Sequence, residues 1–124
     1  MLQVIAIALG GAFGALSRYF LIGLVTDWLG RGFPFGTLLV NVLGSFLIGI
    51  LYVLIVLKMH VSPELKSILV VGFLGAFTTF STFSLEAFIM ISQGLLLSAV
   101  TYILSSVILC ILAVWAGISL AKII

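Results

Sequence analysis

From Thr78 to Glu86 every residue except Leu85 is a hydroxyl, a phenylalanine or a carboxylate. The run lies inside a long apolar block, where polar side chains are expensive and mark candidate ion or substrate paths. Few other polar groups lie so deep: Arg18, Thr37 and Asn41, then Ser98, Thr101, Tyr102, Ser105 and Ser106. Nearly all of them can donate a hydrogen bond, and arginine can only donate. Glu86 is the sole acid well inside an apolar block. A cation path is more naturally lined by acids or rings of carbonyls. A donor-rich path suits an anion, whose hydration shell consists of water molecules acting as donors. Any one serine or threonine most simply packs between helices or bonds its own backbone. The concentration between Thr78 and Glu86 is what points to a path.

Two further features mark the same stretch. Gly72 and Gly75 precede Thr78 and Thr79. Glycines followed by threonines that compete for backbone groups make a poor continuous helix, which predicts a break near Gly75–Thr79. Unwound backbone at membrane depth is tolerated only where it is buried or coordinates something. Freed carbonyls with no acid beside them suit a hard monovalent cation or a water cluster. Phe77, Phe80 and Phe83 recur every third residue, roughly on one helix face. Their simplest use is packing. The sharper use is electrostatic: a ring edge is positive and its face negative, so Phe80 or Phe83 could meet an anion edge-on, with Ser81 and Thr82 alongside.

The elements that must position these residues follow from composition. The chain has 124 residues, 65% hydrophobic and 6% charged, against about a quarter charged in a soluble domain. A lipid bilayer is the solvent that suits such a chain. Four apolar blocks, roughly 2–25, 35–57, 65–91 and 95–121, each reach the ~20 residues a helix needs to span the hydrocarbon. They predict an all-α membrane protein, a single transmembrane domain over 1–124. Ser62-Pro63-Glu64 reads as a helix start, serine as cap and proline in the first turn. The first block lacks a basic n-region and reads as a permanent helix, not a cleavable signal. With four spans both termini share a side. Lys58, Lys66 and Lys122 on that side, three against the one or two of Arg31 and Arg18, give a weak bias towards termini inside. So weak a bias also fits a chain that inserts both ways.

Gly10 and Gly14, Ser45 and Gly49, and Ala113 and Gly117 repeat the small-xxx-small spacing that lets membrane helices approach closely. Cys110 is alone and reads as a packing residue. His60 beside a loop proline reads as solvated. No His, Cys or acid cluster has ligand or nucleophile spacing, so an enzyme is not expected. A net charge of +2 gives no reason to expect nucleic acid.

Three motifs resemble the small dual-topology fluoride channels of the Fluc or CrcB type. They are Gly10-Gly11-Ala12-Phe13-Gly14-Ala15-Leu16-Ser17-Arg18-Tyr19, Gly36-Thr37-Leu38-Leu39-Val40-Asn41-Val42-Leu43-Gly44-Ser45-Phe46, and Gly72-Phe73-Leu74-Gly75-Ala76-Phe77-Thr78-Thr79-Phe80-Ser81-Thr82-Phe83-Ser84. They fall in order on the first three spans, and length and span count agree over the whole chain. Ala76 stands where many members carry glycine, and the fourth block has a looser signature. The resemblance implies an antiparallel homodimer in a bacterial inner membrane, with two pores that pass fluoride passively and lower its cytoplasmic level. It implies that Phe80 and Phe83 are pore phenylalanines and Asn41 the pore asparagine, with Thr37 one turn nearer the vestibule. Ser81, Thr82, Glu86, Tyr102 and Ser106 would form the polar track, and Arg18 would stand near the vestibule. The backbone carbonyls of Gly75 and Thr78 would hold a structural sodium ion at the dimer centre, two from each subunit about a twofold axis.

Two other classes compete. A small dual-topology multidrug exporter also has four helices, but it needs a membrane-embedded carboxylate, usually in its first helix. Here the first block's only acid is Asp27, at its end. A structural subunit with no transport of its own explains the packing glycines but leaves the donor-rich third and fourth blocks without a purpose.

Overall fold

A computed structural model describes the chain from Met1 to Ile124. It is all-helical, with four helices long and apolar enough to cross a membrane: Leu2–Leu29, Phe35–Lys58, Pro63–Ser92 and Leu96–Ile123. Only 22 of 124 residues are buried, so most of the apolar side chains face outward and need lipid or protein around them.

The ends of the helices have local causes. The first runs past Val25 through Asp27 to Leu29, because nothing before Gly30 forbids helix. Gly30 then takes φ 82°, a left-handed conformation that glycine adopts without strain, and its N–H bonds the Thr26 carbonyl at 2.8 Å. Gly94, at φ 78°, turns the chain into the fourth helix in the same way. The third begins as its sequence predicts. Ser62 caps it, Oγ accepting from the Leu65 N–H at 3.2 Å, with Pro63 in the first turn. The second widens into π-type turns over Val53–Lys58. At its end Lys58 Nζ donates to the Ala121 carbonyl at 2.8 Å, tying the second helix to the last turns of the fourth.

The helices pack in two main pairs. The first lies against the leading half of the third, and the second lies against the fourth. Small residues make both approaches possible. A β-carbon at Gly10 or Gly14 would run into the backbone carbonyls of Ile68 and Phe73, and one at Gly49 or Gly117 into those of Val114 and Phe46. The leading half of the third helix is itself widened by π-type turns over Ser67–Leu74. Turns of this kind concentrate at functional sites.

The third helix is broken where its sequence predicts. Gly75–Phe77 closes the leading half, and Phe80–Ser92 forms the trailing half. Between them Thr78 (φ −85°, ψ 158°) and Thr79 (φ −152°, ψ 117°) are extended. The second helix makes room for the break through Gly44, whose missing side chain would otherwise meet Thr78 Cγ2.

Candidate functional site

An extended residue in mid-membrane must find partners for its N–H and C=O, since lipid offers none. Asn41 supplies both to Thr79. Its Oδ1 accepts from the Thr79 N–H at 2.8 Å, and its Nδ2 donates to the Thr79 carbonyl at 3.0 Å. This clamp joins residues 38 apart in sequence and uses one of the two amide protons of Asn41. The threonine side chain then restarts the helix. Thr79 Oγ1 accepts from the Thr82 N–H at 3.2 Å and donates to Thr82 Oγ1 at 3.0 Å, with Ser81 Oγ 3.4 Å away.

The same bonds strip two carbonyls. In an unbroken helix Gly75 would receive the Thr79 N–H and Thr78 the Thr82 N–H. Both donors are spent elsewhere, on Asn41 and on Thr79 Oγ1. The pair expected to hold a cation is therefore released from the helical ladder together, and both residues line one groove. Thr78 Oγ1, by contrast, bonds back to the Leu74 carbonyl at 3.0 Å.

That groove encloses about 510 Å³. Asn41, Thr79, Phe80, Phe83 and Ser106 share its wall with Gly75 and Thr78. The two phenylalanines differ in setting. Phe80 is 78% exposed in this single chain, whereas Phe83 is 8% exposed. Ser106 Oγ is buried with no hydrogen-bond partner, a rare condition that costs about 1–3 kcal/mol unless a water or ion serves it. Cys110 is half-buried on the same wall.

Beyond Phe83 the polar groups continue. The edge-on ring of Tyr102 sits 5.1 Å from that of Phe83. The tyrosine is fully buried, and its hydroxyl donates to Glu86 Oε1 at 3.4 Å. Thr37, also buried, lies beside both the carboxylate and the phenol. Glu86 in turn lines a second cavity of about 330 Å³ under the loop that joins the first two helices. A chain of contacts thus runs from the groove through Phe83 and Tyr102 to Glu86.

The expected site residues therefore divide. Asn41, Phe80, Phe83, Ser106, Gly75 and Thr78 meet at the groove, while Ser81 and Thr82 do not line it and are tied to it only through the Thr79 hydroxyl. Thr37, Glu86 and Tyr102 form the second cluster. Arg18 is half-buried on the first helix and lines neither cavity. Of the remaining hydroxyls, Ser84 and Ser105 bond their own helices, donating to the carbonyls of Phe80 and Thr101. Thr79 is the residue that the sequence pattern leaves unassigned. Its one local signal is a threonine three residues before Thr82 at a helix start.

Comparison with known proteins places this arrangement. Residues 5–118 match the family described as CrcB-like protein, Camphor Resistance (CrcB). A protein of Hahella chejuensis is 54% identical over 98% of this chain and 96% of its own length. One of Magnetococcus marinus is 49% identical over 99% of this chain and the whole of its own length. One of Methylococcus capsulatus is 50% identical over 98% of this chain, which spans 53% of that longer protein. All three are named fluoride-specific ion channel FluC. With a match over most of its length and half-identical relatives end to end, the chain belongs to the CrcB family.

Proposed function

We propose that the chain is a fluoride-selective channel of the cell membrane, passing the ion passively and lowering its cytoplasmic level. The observation that carries this reading is the break at Thr78–Thr79, clamped by Asn41 beside a groove of donors and phenylalanines. Relatives that carry the fluoride channel name across the same length supply the ion.

The chemistry is coherent with that ion. Fluoride is small and strongly hydrated, so a path must replace its water with good donors, and a narrow path discriminates against larger chloride. The free amide proton of Asn41, the hydroxyls of Ser81, Thr82 and Ser106, and the ring edges of Phe80 and Phe83 are the groups suited to it. Thr37, Glu86 and Tyr102 would continue the polar track.

A single copy leaves the groove open and Phe80 uncovered. The functional unit on this reading is an antiparallel homodimer, each copy a single transmembrane domain, with two pores to which both copies contribute. Arg18 would then stand near a vestibule. The Gly75 and Thr78 carbonyls, released from their helical donors, fit a hard monovalent cation such as sodium at the dimer centre. Such an ion would offset the carbonyl dipoles at the end of the leading half and place positive charge between the two paths.

The test is fluoride efflux from proteoliposomes, read with a fluoride electrode and with chloride as the control ion. Rapid fluoride efflux with slow chloride efflux is expected. Purified, folded protein that releases neither ion, or both equally, would count against the reading.

A further inference from the structure

The second cavity carries an inference of its own, which rests on the channel reading above. It lies beneath the loop between the first and second helices and beside the turn between the third and fourth. Its walls include Thr26, Arg31, Phe33, Glu86 and Gln93. Only two of its lining residues are charged, Arg31 and Glu86. Glu86 poses a problem for an anion path, since a carboxylate at the end of the polar track repels the ion that must pass it.

We propose that this cavity is the loop-side mouth of the anion path and that Arg31 is its collecting residue. The guanidinium offsets the Glu86 carboxylate and concentrates small monovalent anions at the mouth. No side-chain hydrogen bond of the chain engages Arg31, which is exposed and belongs to the cavity lining. The nearby acid on the first helix, Asp27, is exposed and absent from the lining. The loop is held in place. Gly30 ends the helix with its N–H on Thr26, and Phe33 lays its ring edge-on against buried Tyr102 at 5.4 Å and tilted against Phe35 at 4.8 Å. Arg31 sits between these two fixed points. Tyr102 touches both Phe33 under the mouth and Phe83 on the groove, so the mouth adjoins the track through one side chain.

The inference is tested by fluoride efflux from vesicles carrying the wild type, Arg31→Gln or Arg31→Lys, in an impermeant potassium salt. At roughly 10 mM salt the Debye length is about 30 Å, and at roughly 1 M it is about 3 Å. Arg31→Gln is expected to slow efflux by roughly threefold or more in low salt, in line with electrostatic focusing in a cleft. The deficit should close in high salt, and Arg31→Lys should stay near wild type throughout. Equal wild-type and Arg31→Gln rates in low salt would overturn the proposal, as would a deficit of the same size at both salts. If the wild type itself passes no fluoride, the channel reading fails instead. The mouth is then judged by the 19F line width of fluoride titrated onto the purified proteins: broadening that Arg31→Gln abolishes supports it, and broadening that the variant leaves intact, or none, refutes it.

Discussion

The two halves of the third helix are built to opposite ends. The leading half is seated against the first helix on glycines and finishes in carbonyls that have lost their donors. The trailing half starts from the Thr79 cap and carries hydroxyls, ring edges and finally Glu86. A helix concentrates negative potential at its C-terminal end and positive potential at its N-terminal end. The break brings the two ends together in mid-membrane, one suited to a cation and the other to an anion. A single asparagine on the second helix satisfies the backbone of Thr79 between them. On the proposed reading, one interrupted helix would serve two ions of opposite sign without a charged side chain at the break.

If the leading half is chiefly a packing element, crowding it should do the most damage. Gly14→Val is expected to abolish folded protein, because a side chain there meets the Phe73 backbone, which cannot move aside. Monodisperse protein at wild-type yield would show that the approach of these helices is dispensable. Next in size is Asn41→Ala, which leaves the Thr79 N–H and carbonyl without partners at about 1–3 kcal/mol each. It should lower the melting temperature and slow fluoride efflux together. An unchanged melting temperature would mean that Asn41 faces the ion and does not clamp the break.

The phenylalanines sharpen the trailing half. Phe80, exposed in the single chain, should tolerate Ile with little change in the stability of the chain, yet efflux should fall about tenfold or more, about 1.4 kcal/mol at the barrier. Phe83→Ala should cost about 3–5 kcal/mol, since that ring is buried against Tyr102. Wild-type flux in Phe80→Ile vesicles would remove Phe80 from the path.

The sequence made some of this plain and left some hidden, for identifiable reasons. Hydropathy finds the four spans because lipid imposes a length on any apolar helix. Gly72 and Gly75 before paired threonines mark the break because both residue types compete with helical bonding. The partner of the break was not visible. Asn41 and Thr79 are 38 residues apart, and only the packing of the second helix on the third brings them together. Phe80 and Phe83 look alike at a spacing of three, yet one is uncovered and the other is buried against Tyr102 of the fourth helix, a contact between distant residues. Arg31 reads as a loop charge, and the sequence does not show that Phe33 anchors its loop on Tyr102.

The smallest expected effect is the most discriminating, and it concerns Ser106. Its hydroxyl is buried on the groove wall without a partner in the chain. If nothing ever occupies the space beside it, Ser106→Ala removes an unsatisfied polar group and should raise stability by up to about 1 kcal/mol. If an ion or its water visits, the same change removes a donor from the path. It should then slow fluoride efflux while leaving the melting temperature in fluoride-free buffer unchanged or slightly higher. The two outcomes separate packing from conduction because they move different observables. A stabilised variant with full efflux would take Ser106 out of the anion path. A slowed variant that is no less stable would place the hydroxyl in the path, on the groove that Gly75 and Thr78 also line.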